Sequence, residues 1–73
     1  MTTLQAYVLS ELNQRSIDHP SMPTLGYAGA ALRVARELRE RGYIYETPAG
    51  GRFQIVREGV EALLKRGPQD VGF

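Results

Sequence analysis

The stretch of residues 43–59 constrains the fold most, because two short β-prone runs in it flank a turn-forming segment. The first run, YIY at residues 43–45, is aromatic and β-branched, and the second, FQIV at residues 53–56, places alternate apolar side chains on one face. Between them, PAGG at residues 48–51 supplies the backbone geometry of a tight turn. The sequence therefore predicts a β-hairpin of two strands, directly behind a charged helical segment.

Helical periodicity on both sides of the hairpin predicts a first helix over residues 3–15 and a short last helix over residues 57–66. Leu4, Val8 and Leu12 form one apolar stripe along the first helix. Helices and hairpin together predict an α+β fold with a single small core. The expected core residues are Leu4, Val8, Leu12, Ala31, Ala35, Leu38, Ile44, Phe53, Ile55, Val60 and Leu63.

A longer second helix is predicted before the hairpin, from an N-cap at Thr24 to residue 41, with Gly42 as a left-handed stop. Two prolines lie within residues 18–23, so this segment is expected to be irregular or to form a single turn. Two glycines within residues 26–29 weaken the helix start by up to about 1 kcal/mol each. A break there, giving a stub and then the main helix, is the alternative to one continuous helix.

Length and composition exclude several classes of protein. The 73 residues suffice for one small domain, predicted at residues 1–66, with a flexible C-terminal tail at residues 67–73. Without cysteine the chain has neither a disulfide framework nor a thiolate zinc site, which suits a reducing compartment. No apolar run approaches the roughly 20 residues of a membrane span, and no basic leader precedes one. A cytoplasmic location is therefore expected.

Charge is distributed unevenly although the net charge is only +1. Residues 25–66 hold eight of the nine Lys and Arg side chains but five of the eight Asp and Glu side chains. The arginines gather on the predicted second helix and at the hairpin. Such a charge run is ordinarily a solvated surface, and it is also the pattern of a nucleic-acid contact.

The order of helix, irregular link, helix, hairpin and short helix resembles the winged helix-turn-helix proteins of the PadR-like and MarR-like families. The run RVARELRERGYI, residues 33–44, is similar to a recognition helix entering the first wing strand. The run FQIVREG, residues 53–59, is similar to a second wing strand that opens the next helix. The resemblance covers about residues 25–66. It implies a small winged helix of three helices and a two-stranded hairpin wing, with an abbreviated helix-turn-helix.

The chain departs from the family pattern at three places. Val56 stands where these families usually have a threonine that caps the next helix. Residues 18–30 leave room only for a stub in place of the second helix of the helix-turn-helix. The start of the presumed recognition helix, residues 25–32, offers base edges only Tyr27 and several alanine methyl groups.

The resemblance implies binding of double-stranded DNA by a small transcriptional regulator of a bacterium or phage, through the helix at residues 27–41 and the wing at residues 47–53. The candidate DNA-binding residues are Tyr27, Arg33, Arg36, Arg39 and Arg52. Arg52 would reach a phosphate or the minor groove from the wing tip. The competing interpretation is structural: solvated side chains, with ion pairs from Arg33 to Glu37 and from Arg36 to Glu40 along the helix.

A second class of function stays open, in which the winged helix is a protein–protein interaction module, an adaptor or inhibitor. The apolar residues 25–32 and the low net charge favour it. No enzymatic motif is present, and neither a cofactor nor a metal is expected, since His19 is the only histidine. A homodimer formed through Tyr7, Leu9 and Leu64 is also predicted, because one winged helix makes few phosphate contacts. The alternative is that these three side chains complete the core.

Overall fold

The structure, a computed structural model, describes residues 1–49 and 51–66. The elements in chain order are α1 (Thr3–Gln14), β1 (Ile17–Asp18), a 3₁₀ helix (His19–Leu25), a 3₁₀ turn (Tyr27–Gly29), α2 (Ala30–Glu40), β2 (Ile44–Glu46), β3 (Arg52–Ile55) and α3 (Arg57–Arg66). They make a small α+β fold. The predicted tail, residues 67–73, lies outside the described residues. Within the described part, no helix has the length and hydropathy to cross a membrane.

The sheet has three antiparallel strands in the order β1-β3-β2, one more than the predicted hairpin. The hairpin itself is confirmed, with Ile44 opposite Ile55 and Glu46 opposite Phe53. The added strand β1 pairs Ile17 with Phe53, so β3 is the central strand. A strand of two residues is too short for an alternating pattern, which is why the sequence does not reveal it.

Helix α1 begins with a reciprocal capping box. The Thr2 hydroxyl accepts a hydrogen bond from the Gln5 amide at 3.1 Å, and the Gln5 side-chain oxygen accepts one from the Thr2 amide at 3.0 Å. The helix then buries Val8, Leu9 and Leu12 against the rest of the fold. The predicted first helix is confirmed, one residue shorter at its C-terminal end.

The core lies where α1, the 3₁₀ helix, α2 and the sheet meet. Phe53 is completely buried at its centre, as the sequence predicts. Three other predicted core residues, Leu4, Ile55 and Leu63, pack against the core but are only partly buried. Val60 is also only half-buried. The other buried apolar residues are Ala6, Val8, Leu9, Leu12, Ile17, Met22, Leu25, Ala31, Val34, Ala35, Leu38 and Ile44.

The link between α1 and α2 contains no α-helix, but it is more regular than an irregular or one-turn segment. The Asp18 carboxylate accepts a hydrogen bond from the Ser21 amide at 3.0 Å and starts a 3₁₀ helix of seven residues. That helix buries Met22 and Leu25, which anchors it to the core. Thr24 lies inside it and donates its hydroxyl to the Ser21 carbonyl, so the prediction of Thr24 as the N-cap of α2 is wrong.

The predicted helix at residues 27–41 is broken at its start, and α2 begins only at Ala30. All four residues from Gly26 to Gly29 have positive φ, with values of 61° at Tyr27 and 55° at Ala28. L-residues avoid this region, because Cβ crowds the following carbonyl. The break foreseen at the two glycines is therefore confirmed, and Tyr27 is not on the helix. The N-cap of α2 is Gly29, which provides no side-chain bond.

The end of α2 confirms the sequence-based prediction of a glycine stop. Gly42 has φ +78°, and the Tyr43 amide returns to the Leu38 carbonyl at 3.1 Å. Helix α3 is fastened to the same corner, because Gly59 is buried so closely that an added Cβ would lie 2.2 Å from the Tyr43 carbonyl oxygen. The corner at Tyr43 thus holds α2, the hairpin and α3 together.

Candidate nucleic-acid interface

The solvent side of α2 forms a shallow groove of about 490 Å³. Ala31, Ala35 and Leu38 turn the opposite side of the helix into the core, so the groove side carries the polar residues. Two arginines, two glutamates and one leucine share it with the N-cap glycine. The lining residues are Gly29, Leu32, Arg33, Arg36, Glu37 and Glu40.

Arg33 and Arg36 are the two predicted DNA-binding residues that the structure brings together in this groove. Arg33 makes the predicted ion pair with Glu37 at 2.9 Å, but the two side chains are 67% and 42% exposed. Such an exposed pair contributes only about 0.3–0.5 kcal/mol, so it gives way easily to another anion. Arg36 makes no hydrogen bond or ion pair within residues 1–49 and 51–66; the predicted pair with Glu40 does not form. Its guanidinium is therefore available to a ligand.

Arg39 lies on the same helix but is bound to two carboxylates. Its guanidinium donates one hydrogen bond to Glu46 on β2 and another to Glu40 at 3.2 Å. These hydrogen bonds raise the pKa of Arg39. Burial raises the pKa of Glu46, but the hydrogen bond from Arg39 and the nearby cations outweigh it, leaving that pKa below its ordinary value. Arg39 thus connects α2 to the hairpin and is less available than Arg36.

Arg52 does not lie in the α2 groove. It opens β3, opposite Asp18 on β1, and its guanidinium donates to the Ser16 hydroxyl at 2.9 Å and to the Ser16 carbonyl at 3.3 Å. Its amide donates to the Thr47 hydroxyl at 3.1 Å, which closes the hairpin. The side chain of Arg52 is therefore held against the end of α1, where it lines a second groove together with Arg15.

Tyr27 sits on the left-handed turn before α2 and is 45% exposed. Its ring meets that of Tyr7 edge to face, with the two centroids 5.4 Å apart. The turn therefore rests on α1 through this aromatic pair. Of the five residues proposed from the sequence, Arg33 and Arg36 line the α2 groove, and Tyr27, Arg39 and Arg52 do not.

Sequence reasoning missed three acidic partners of the arginines, although it included the pair of Arg33 with Glu37. Glu46 and Glu40 both bind Arg39, and Asp18 faces Arg52. The contact with Glu40 has no signal in helical spacing, because residues adjacent in sequence do not face each other on a helix. Those with Glu46 and Asp18 have none, because they depend on how β2 and β1 join the sheet.

Among the described residues, no three side chains of His, Cys, Asp or Glu come together as a metal site would require.

The three apolar residues predicted for a homodimer interface differ in exposure. Leu9 is completely buried, so its assignment to an interface is wrong: it belongs to the core. Tyr7 is half-buried under Tyr27. Leu64 is 76% exposed on α3 and is the one member of the three that stands clear of the core.

Comparison of the chain with protein-family models, with curated proteins and with solved structures finds no match.

Proposed function

We propose that the chain is a DNA-binding protein of the winged-helix type, a small regulator of transcription that contacts double-stranded DNA through α2 and the hairpin. The observation that carries the proposal is the state of Arg36: it is exposed in the α2 groove without a hydrogen bond or ion pair within the described residues. A guanidinium in this state presents a planar fork of donors to a phosphate or to a guanine edge.

The order of elements supports the proposal. A helix, a short 3₁₀ helix, a second helix and a hairpin follow one another as the resemblance implies. Helix α2 is anchored by Ala31, Ala35 and Leu38, so its arginines are presented from a rigid element rather than from a loop. Presentation from a helix removes the cost of ordering a loop on binding.

The mixed charge of the groove indicates which part of the DNA α2 would meet. Glu37 and Glu40 lie beside Arg33 and Arg36, and carboxylates repel a phosphate backbone. Base edges in the major groove suit such a surface better, because arginine pairs with guanine and glutamate accepts a hydrogen bond from the cytosine amino group. We therefore expect α2 to prefer sites that contain G·C pairs.

The test compares two triple variants that lose the same charge. The first is R33Q/R36Q/R52Q, and the matched control R41Q/R57Q/K65Q removes three exposed cations from elsewhere on the surface. Binding to a pool of random duplex fragments is followed by fluorescence anisotropy at several salt concentrations. Each lost phosphate contact lowers the slope of log K against log salt by about 0.9. The first variant is expected to lose about 10-fold or more in affinity, and the control much less.

Equal losses in the two triple variants would mean that only the overall charge matters, and the proposed interface would be wrong. Selection of bound fragments from the same pool reports the base preference independently. An enriched motif containing G·C pairs supports α2 as the reading helix. Binding without any enriched motif would support DNA binding but show that α2 does not recognise bases.

A protein–protein interaction module is the second candidate, and Leu32 in the α2 groove favours it. An apolar side chain between charged neighbours is typical of the centre of a small protein interface with a polar rim. If neither Leu32→Ser nor R33Q/R36Q/R52Q changes the affinity for DNA, the α2 groove does not contact DNA. A protein–protein interaction module would then be the better assignment. As a DNA-binding regulator the protein would act in the cytoplasm.

A further inference from the structure

A second groove, separate from that on α2, lies between the end of α1, β1, the 3₁₀ helix and the start of β3. It has a volume of about 230 Å³. We refer to it as the β1 groove. Guanidinium and hydroxyl groups dominate its lining, with one carboxylate. The lining residues are Arg15, Ser16, Ile17, Asp18, Ser21, Thr24 and Arg52.

The two arginines of the β1 groove have donors to spare. Arg52 uses one guanidinium nitrogen, Nη1, for its two contacts with Ser16. Its other guanidinium N–H groups make no hydrogen bond within the described residues, and a guanidinium carries five such donors in all. Arg15 is 56% exposed and has only a loose ion pair with Glu11, at 3.9 Å. Two partly engaged guanidinium groups therefore face one depression.

One hydroxyl group adds a neutral donor. The Ser16 oxygen already accepts from Arg52, which leaves its hydrogen available to an anion. The Ser21 side chain is engaged within the groove, because its hydrogen bond with Asp18 is the main cause that lowers the pKa of that carboxyl. Thr24 is engaged as well, because its hydrogen is donated to the Ser21 carbonyl. The groove thus offers two guanidinium groups and the hydroxyl hydrogen of Ser16, a donor set that suits the oxygens of a phosphate group.

We propose that the β1 groove binds a phosphate group, with Arg15 and Arg52 as its charged ligands and Ser16 as a hydroxyl donor. The source we favour is the DNA backbone, which rests on the function proposed above. Arg52 then acts beside β1 and not at the hairpin tip. The protein would contact DNA at two places, with bases read at α2 and the backbone held at the β1 groove.

Asp18 sets the strength of this site. Its carboxylate lies in the groove and accepts a hydrogen bond from the Ser21 amide, so one negative charge opposes the two arginines. Binding of free phosphate is therefore expected to be weak. Asp18→Asn removes the repulsion and keeps an oxygen that can accept from the Ser21 amide. This variant should strengthen phosphate binding by about three- to tenfold.

The first experiment uses the full chain and inorganic phosphate without DNA. Amide and arginine side-chain signals are followed by ¹H–¹⁵N NMR, against chloride at equal ionic strength. Saturable shifts at Ser21, Arg52 and Arg15, reduced in R15Q and strengthened in D18N, are expected. Shifts that do not differ from the chloride series, or that are unchanged in both variants, would overturn the site. R15Q is the safer variant for folding, because Arg15 is on the surface.

The second experiment distinguishes the two sources of phosphate. DNA affinity of R15Q/R52Q is compared with that of R57Q/K65Q, which loses the same charge from α3. A loss of roughly 10-fold or more and a lower salt slope in R15Q/R52Q alone support the DNA backbone as the source. Equal affinities would overturn that source and assign the groove to free phosphate. If no form of the chain binds DNA, the function proposed above fails, while the phosphate titration still decides on the groove.

Discussion

The His19 ring nitrogen Nε2 lies 2.8 Å from a carboxylate oxygen of Glu46, while Arg39 binds the other oxygen of the same carboxylate. Nε2 is buried but has no hydrogen bond of acceptable geometry within the described residues, so its contact with Glu46 is close without being an aligned hydrogen bond. The ring also stacks on Phe53, with centroids 4.7 Å apart. Glu46 consequently joins the 3₁₀ helix, α2 and the hairpin at one point.

Replacing Glu46 by Gln is expected to make the fold less sensitive to acid. The pKa of Glu46 is below its ordinary value of 4.5. A carboxyl whose pKa is lower in the folded protein than in the unfolded chain stabilises the fold at pH values above its unfolded pKa. This stabilisation is lost as the pH falls through the folded pKa. Urea unfolding at about pH 6 and pH 3 should therefore show a smaller loss of unfolding free energy in E46Q than in the wild type. E61Q, which removes an exposed carboxylate, is the control and should lose as much unfolding free energy as the wild type. Equal losses in the wild type and E46Q would show that Glu46 does not contribute to the acid sensitivity of the fold.

Gly59→Ala is expected to destabilise the protein although alanine favours helices. An added Cβ would lie 2.2 Å from the Tyr43 carbonyl oxygen and 2.8 Å from Ile55 Cγ1. Moving α3 away from this corner should cost about 1–3 kcal/mol in unfolding free energy, more than the gain in helix propensity of up to about 1 kcal/mol. Urea denaturation measures the difference, and Glu58→Ala on the exposed side of α3 is the control. A G59A variant as stable as the wild type would show that α3 is not packed here.

Ala28→Gly is expected to stabilise the turn before α2. Ala28 has φ +55°, a conformation that costs a non-glycine residue roughly 1–2 kcal/mol. Glycine removes that cost but loses more entropy on folding, so a net gain of about 0.5–1 kcal/mol in unfolding free energy is expected. Ala30→Gly, at the first residue of α2 with φ −68°, should instead lose about 0.5–1 kcal/mol. Equal losses in the two variants would place Ala28 in an ordinary helix.

Self-association through Leu64 remains a prediction, and its exposure makes it testable. The average mass measured for the wild type should exceed the 8.1 kDa of the monomer as its concentration is raised, and also when DNA is added. Leu64→Glu should keep the chain monomeric, because it places a charge in the apolar contact. Sedimentation equilibrium measures both, with Gln54→Glu on β3 as the charge control. A wild type that is monomeric at every concentration and still binds one DNA site tightly at physiological salt would rule the dimer out.

The sequence predicts the parts of this fold that depend on local periodicity. Ala31, Ala35 and Leu38 repeat with the helical period, and the stop at Gly42 needs only a left-handed residue. The conformation of Tyr27 and Ala28 escapes such reasoning, because residues with side chains rarely adopt positive φ.

The contacts of the candidate site are likewise predictable from the sequence only where their partners are close along the chain. The pair of Arg33 with Glu37 follows from helical spacing and is present. The contact of Arg52 with Ser16 joins residues 36 positions apart, and no spacing rule relates them. It arises because β1 takes its place beside β3, which also creates the β1 groove. Long-range pairing therefore determines which arginines share a surface.

The pairing of β1 with β3 has a consequence for how the chain folds. Helix α2 and the hairpin are neighbours in sequence and can form early, whereas Ile17 reaches Phe53 only after a long loop closes, at an entropic cost. Native contacts of Ile17 should therefore be largely absent from the folding transition state. Truncating Ile17 should accelerate unfolding and hardly slow folding, while truncating Leu38 should slow folding itself.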